Sequence, residues 1–433
     1  MNNKALIWIC ISILMLGGCS IVGIDTSAPT AKEAELMFKQ LLPEGTELLS
    51  TPEGTAVVQL VNVDDDNQLE AVALYRITGQ AHIGFAVAEK KWTGWERIEN
   101  RSLKDQNLNY GILADIIGDP RPEIILSTTE KSADLSQTQT VLVYALQSEE
   151  WKQVFHQDVN YFSTEDLDGD LKGDFVVIHQ DDGESALASL YRERSGQLHP
   201  QNAITLAEEH ISFSQIRTSQ VEETKRAIVV NEKVSDQNWH TSIVGMKQGE
   251  LSHIIDPQNP RLYSAIEGKL RDQNQDGYME FPTVLAEPED SIMIPLVEWN
   301  QVEGDKLKTT AQHTGATGLP FQLNFPEKWF NQIQLKVDDG GNAKYMQIFN
   351  RDLKEGFENH PEMLLSISYF EDEAEWNSED EISALDGEIY ENYLLHRYQD
   401  GSIIVGGEGD KGVADNLKVS KEEVKKMIQT EIN

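Results

Sequence analysis

Asp166-Leu167-Asp168-Gly169-Asp170-Leu171-Lys172-Gly173-Asp174 runs straight into Phe175-Val176-Val177-Ile178. Carboxylates stand at positions 1, 3, 5 and 9 of a short loop, and an apolar β-type run begins where the loop ends. Alternate carboxylates in a tight turn converge on one point. There they repel one another unless a hard cation that takes many oxygen ligands sits among them. The arrangement recurs. Asn62, Asp64, Asp66 and Glu70 precede Ala71-Val72-Ala73-Leu74, and Asp272, Asn274, Asp276 and Glu280 precede Phe281-Pro282-Thr283-Val284. A thinner copy, Asp115, Asp119 and Glu123, precedes Ile124-Ile125-Leu126.

The first positions of these loops, Asn62, Asp115, Asp166 and Asp272, lie 53, 51 and 106 residues apart. The last gap is twice the first, so a further unit belongs near residue 217. Ile211-Ser212-Phe213 leads into that region and Ala227-Ile228-Val229-Val230 leaves it, with Arg217, Ser219, Val221 and Lys225 where the acids would be. That unit keeps its strands and lacks the metal loop. Each period reads strand, acidic loop, strand, strand, turn, strand; in the second unit the strands fall at 110–113, 123–128, 140–146 and 151–155. Four antiparallel strands in about fifty residues is the size of a propeller blade. The expected fold is mainly β: a β-propeller of about five four-stranded blades over residues 50–312, followed by a smaller α+β domain over 313–433.

These units resemble FG-GAP/VCBS-type repeats, the calcium-loop blades of integrin-like propellers and of many bacterial surface proteins. Such loops read Asp-x-Asp-Gly-Asp-Gly-x-x-Asp and precede a blade strand. The resemblance covers residues 50–312 and implies calcium as cofactor, held by Asp166, Asp168, Asp170 and Asp174 and by the matching residues of the other loops. The chain departs from the pattern at loop position 6, where Gly277 fits but Leu171 and Asn67 replace glycine. Asn tolerates a left-handed backbone and Leu does not. The turn around Leu171 is therefore expected to be distorted, or its affinity reduced. An EF-hand would need a carboxylate at position 12 and flanking helices; Val177 and Thr283 stand there, between strand-like runs. Solvated acidic turns without metal are the other competing reading. Repetition at a fixed period, with four oxygen ligands each time, favours calcium.

Residues 1–18 carry Lys4 and an apolar run over 5–16, ending in Leu16-Gly17-Gly18-Cys19-Ser20. This resembles the bacterial lipobox, which implies a lipoprotein signal peptide cut before Cys19, lipid (palmitate) on that cysteine and a membrane anchor on the extracytoplasmic face. Ordinary secretory cleavage after Gly18 is the alternative. The only other cysteine is Cys10, inside the signal, so the mature chain is expected to lack disulfides. Residues 19–30 read as a tether. Residues 31–49 read as a helix, with Ala34, Leu36, Met37, Leu41 and Leu42 as its apolar stripe and Pro43 as its stop, and a lead-in.

In the last domain, strands are expected near 333–337, 345–349, 364–370, 393–398 and 402–406. A closing helix is expected over 420–432, capped by Ser420 with Glu423 three residues on. Asp338 to Asn342 reads as a hairpin turn, and the acidic run over 371–381 as a solvated loop, a cation-attracting patch being its sharper alternative.

A net charge of −37 leaves no basic footprint for phosphate and argues against nucleic acid. No Gly-x-Ser-x-Gly, His-Glu-x-x-His or phosphate-cradling glycine loop occurs. His156, His179, His240 and His253 sit in or beside strand runs and read as structural. The functional expectation is a lipid-anchored, extracytoplasmic, calcium-binding propeller protein that binds or displays a protein or cell-envelope polymer such as a polysaccharide. The alternative is a cell-envelope glycan-acting enzyme with paired carboxylates in the propeller channel.

Overall fold

The computed structural model describes residues 29–49, 57–66, 68–80, 82–91, 93–104, 106–130, 138–181, 184–284, 296–314, 320–340, 343–350, 362–372 and 392–430. The lipobox and Cys19, Asn67, the acidic run beyond 372 and residues 341–342 of the expected hairpin turn lie outside these. The chain divides into two compact units, Met1–Asp158 with Glu193–Leu198, and Val159–Arg192 with His199–Asn433.

The first unit opens with helix α1 (Ala31–Leu41), started by a capping box in which Thr30 and Glu33 bond each other's backbone. Ala34, Met37 and Phe38 are its buried face. This corrects the expected stripe: Leu36 and Leu41 are exposed, because Phe38 supplies the i+4 contact above Ala34. The first sheet comprises β1 (Thr46–Leu49), β2 (Val58–Val61), β3 (Glu70–Ile77), β4 (His82–Lys91) and β5 (Gly94–Lys104). β1 and β2 share one edge of β3, opposite its second and first halves, so the sheet is four strands deep. The second sheet stacks β6 (Gln106–Ala114), β7 (Glu123–Glu130), β8 (Gln139–Gln147) and β9 (Glu150–Val159) in chain order.

Why these strands read as unbroken apolar runs follows from their two covered faces. Ala71, Ala73 and Tyr75 pack with Ala86 and Ala88 against α1. The alternate residues Val72 and Leu74, with Phe85 and Val87, pack against Ile124, Leu126 and Tyr144 of the second sheet.

In the second unit the third sheet is β10 (Tyr161–Ser163), β11 (Phe175–His179), β12 (Leu187–Arg194) and β13 (Gln197–Thr205). The fourth is β14 (Ser212–Gln220), β15 (Arg226–Lys233), β16 (Trp239–Lys247), then β17 (Glu250–His253) and β18 (Tyr263–Ser264) sharing the far edge. Val176 and Ile178 meet Ile228 and Val230 on one face of β15, while Ala227 and Val229 meet Phe281 on the other. The fifth sheet has three strands, β19 (Glu280–Val284), β20 (Leu296–Glu303) and β21 (Lys306–Thr314). Its expected first strand is reduced to a single bridge, Arg271↔Glu280. The chain is thus mainly β, with several four-stranded antiparallel sheets that resemble propeller blades.

The remainder holds the short pair β22 (Gln322–Leu323) and β28 (Ile428–Gln429), and a five-stranded sheet. That sheet is built from β23 (Ile333–Gly340), β24 (Ala343–Asn350), β25 (Met363–Phe370), β26 (Asn392–Arg397) and β27 (Ile403–Glu408). Trp329 centres its core and donates its indole N–H to the Leu417 carbonyl at 2.7 Å. The closing helix, α2 (Lys421–Met427), is shorter than expected. Ile428 turns extended and pairs with Leu323, which ends the helix. Among the described residues no helix is long and apolar enough to cross a membrane.

Candidate metal centre

Each acidic loop joins a sheet's first segment to the strand that follows, and one hydrogen-bond scheme shapes them all. The position-1 side chain accepts from the amide of position 4 where Asn62 meets Asp65 (2.7 Å), Asp115 meets Gly118 (2.6 Å) and Asp166 meets Gly169 (2.7 Å). Position 3 accepts from position 5: Asp64 from Asp66 (3.2 Å), Asp168 from Asp170 (3.2 Å) and Asn274 from Asp276 (3.0 Å). Position 5 accepts from position 7, with Asp66, Asp119, Asp170 and Asp276 bonded to Gln68, Arg121, Lys172 and Tyr278 at 2.8–3.1 Å. The position-9 carboxylate reaches back to the amide of position 2. Glu70 accepts from Val63 (2.9 Å), Glu123 from Ile116 (3.0 Å), Asp174 from Leu167 (2.9 Å) and Glu280 from Gln273 (2.6 Å). Backbone donors therefore fix every carboxylate before any ligand arrives.

This winding needs a left-handed backbone at positions 4 and 6. Gly118, Gly169, Asp65 and Gln275 supply the first, and Leu171 and Gly277 the second. Leu171 takes φ 70° in spite of its side chain. The expected distortion is absent. The Leu171 amide reaches Asp166 at 2.7 Å, as the Gly277 amide reaches Asp272 at 2.9 Å. The strain falls on one residue, whose side chain is wholly in solvent.

Three of the four loops gather their acids. Ligand oxygens of Asp64, Asp66 and Glu70, of Asp166, Asp168 and Asp174, and of Asp272, Asp276 and Glu280 lie within 4.8 Å of one another in each set. Asn62 and Asn274 stand in the same turns, Asn274 donating to Asp276 at 3.0 Å, and the Asp170 carboxylate, outside the gathered set, accepts from the Lys172 amide at 2.9 Å. Asp115, Asp119 and Glu123 do not form such a set; Arg121 turns back on Asp119 through both Nε (3.1 Å) and Nη2. In the fourth sheet Val221 bonds Lys225 (3.0 Å) in a tight turn, and β14 and β15 run up to it.

Position 9 is where the electrostatics concentrate. Burial pushes the Glu70 carboxyl up to about 7, reinforced by Asp64 and Asp66, and the Glu123 carboxyl up to about 8, reinforced by Asp119 and Asp115. Burial also raises Glu280, beside Asp276 and Asp272, and Asp174, where Arg192 pulls the other way. Glu70 and Glu280 are fully buried, and among the described residues the Oε1 oxygen of each has no geometric hydrogen-bond partner. The Thr310 hydroxyl lies beside Glu280 and works against the rise of its carboxyl, while also standing 3.3 Å from the Trp299 carbonyl. A buried, unpartnered carboxylate oxygen is costly. A hard divalent cation with an all-oxygen shell, such as calcium, fits this donor set and removes the cost.

No protein-family model matches the chain, and no curated protein matches it. Among solved structures 63 chains match. They include the exotype rhamnogalacturonan lyase YesX, at 11% identity over 64% of this chain and 72% of that one, with a TM-score of 0.29. A Bacteroides fragilis protein described as a candidate 6-phosphogluconolactonase matches at 12% identity over 65% and 91%, TM-score 0.30. A bifunctional GH43-CE protein of Bacteroides eggerthii matches at 10% over 72% and 54%, TM-score 0.23. Likeness at this level leaves the reading of the loops to their own geometry.

One cluster escaped the sequence reading. At the end of β15 remote from the turn, Glu232 is fully buried and accepts from Ser242 Oγ at 2.7 Å, with His210 Nδ1 at 2.7 Å and His240 Nδ1 at 3.5 Å. Burial works against its charge, yet these groups hold its carboxyl below the usual range. His240 Nε2 lies 3.1 Å from the Pro257 carbonyl. The signal was present in the alternation: Ile228, Val230 and Glu232 occupy one face of β15, and Ser242, Val244 and Met246 one face of β16. The four polar groups are enclosed, and the cluster is a structural one.

Proposed function

We propose that the protein is a calcium-binding, blade-built scaffold of the FG-GAP/VCBS type, in which cations bound at loop position 9 lock the start of each following strand. The observation that carries this reading is the pair of buried carboxylates, Glu70 and Glu280, whose Oε1 oxygens have no geometric hydrogen-bond partner among the described residues. With Cys19 read as the lipidated residue, the scaffold stands at the extracytoplasmic face of a membrane and binds or displays a protein or an envelope polymer. Among the described residues the acids that cluster are tied into turns by their own backbone, and this favours the scaffold over the enzyme alternative.

The test is thermal unfolding of the full-length chain in detergent with calcium, with magnesium and with chelator. Binding to the native state alone raises the midpoint as metal exceeds its dissociation constant. A calcium-selective rise that shrinks in Asp272→Ala and Asp64→Ala supports the reading. A midpoint indifferent to calcium and chelator sinks it. Palmitate incorporation lost in Cys19→Ala tests the anchor separately.

A further inference from the structure

The loop with the fullest set of acids is the third, and its position-9 carboxylate is met differently from those of the first and fifth. In all three, one oxygen of the position-9 carboxylate accepts the position-2 amide. The second oxygen is bare and buried in Glu70 and Glu280. In Asp174 the same oxygen, Oδ1, is met by the guanidinium of Arg192, which reaches it from β12. Asp174 is buried and Arg192 is about two-thirds covered, so the ion pair lies at the inner wall of the loop.

We infer that Arg192 is the resident cation of the third loop, so that the divalent sites of this chain are the first and fifth loops and the third is closed by an internal arginine. This rests on the cation reading of the loops proposed above. Counting charge alone would make the loops equal, since four carboxylates with one guanidinium match the three ligand carboxylates of the others. Position decides the matter. The guanidinium sits on the Asp174 oxygen that corresponds to the bare one of Glu70 and Glu280, and a divalent ion at that oxygen faces a positive charge just across it. The second loop uses the same device differently, Arg121 closing on Asp119 from within the turn. It has Ile117 at position 3, so it lacks a ligand as well.

Direct calcium counting tests this, by equilibrium dialysis of the full-length chain with calcium alone as the probe. The wild type is expected to take two ions tightly, and Glu70→Gln and Glu280→Gln one each. Arg192→Gln is expected to take three, the extra ion being lost again in Arg192→Gln with Asp174→Asn. The double variant removes the buried charge that a single substitution would strand, so a folding defect in Arg192→Gln is separable from a closed site. Three ions in the wild type, one of them lost in Asp174→Asn and none gained in Arg192→Gln, overturns the assignment of Arg192 while the loops remain cation sites. No calcium bound to any variant overturns the cation reading itself.

Discussion

The third and fourth sheets are successive four-stranded meanders with the same strand order, and each buries one carboxylate at one end of its second strand. In the third sheet the acid is Asp174, at the loop that enters β11. In the fourth it is Glu232, at the opposite end of β15, and the loop end has become a tight turn. The sheet geometry thus needs no metal loop. What it does need is a partner for each buried charge: Arg192 in one case, two imidazoles and a hydroxyl in the other. The first and fifth sheets bury Glu70 and Glu280 without such a partner, and that contrast is what singles them out.

The largest effect expected from this comparison is at Glu232. Glu232→Ala strands His210 and His240 in the interior, and breaking a buried charged network costs roughly 3–5 kcal/mol. The loss should be the same in calcium and in chelator, read by denaturant unfolding. Recovery of stability by calcium would mean that the cluster is coupled to a metal loop, and the contrast would collapse.

Acid and base should act on the two kinds of site in opposite directions. Without metal, the Glu70 and Glu123 carboxyls release their protons at about 7 and about 8, and Glu280 also titrates above its ordinary value. The folded state then holds more protons than the unfolded chain, so this contribution is full below the ordinary carboxylate range and is lost as pH rises through 7 to 8. Glu232 titrates below its ordinary value, so its contribution is present above that value and is lost as pH falls through the depressed one. In chelator, stability should decline between pH 5 and pH 8 by roughly 1–3 kcal/mol. Glu70→Gln with Glu280→Gln should remove their share of the decline and leave the part that Glu123 carries, and saturating calcium, which keeps Glu70 and Glu280 ionised, should do the same. A chelated midpoint that climbs over this interval, unchanged by the two substitutions, would contradict the assignment.

Much of this was legible in the residues, and the part that was not has a physical cause. Loop period and apolar runs located the strands of the repeats, because a strand covered on both faces reads as a continuous apolar stretch. The turn at residues 221–225 was legible as missing acids. Arg192 was not, since it lies on another strand, eighteen residues from Asp174, and only the register of β11 against β12 brings the two together. His210 and Glu232 were hidden for the same reason: a side chain's value as a partner depends on pairing across strands, which a linear reading does not contain. The closing helix was overextended because apolar Ile428 suits a helix face as well as it suits the short strand it forms.

Gly169 tests the loop's winding. It has φ 83°, and a Cβ there would come within 2.8 Å of the Thr224 carbonyl oxygen. Gly169→Ala should cost about 1–3 kcal/mol through left-handed strain and that contact, whereas the same change at Gly277, with open space around it, should cost only the strain. Equal losses at the two positions would show that Thr224 yields.

The smallest effect has the opposite sign. Leu171 holds φ 70° with its side chain 93% exposed, so it bears the left-handed penalty and buries nothing in return. Glycine at this position removes the Cβ clash but raises the entropy of the unfolded chain, and the first term exceeds the second by about 1 kcal/mol or less. Leu171→Gly should therefore raise the melting midpoint by a few degrees at most, in calcium and in chelator alike. It should not raise the number of calcium ions bound, because Arg192, and not the turn, closes this loop. A variant that is no more stable but binds an additional ion would place the obstacle at position 6 and return Arg192 to an ordinary ion pair.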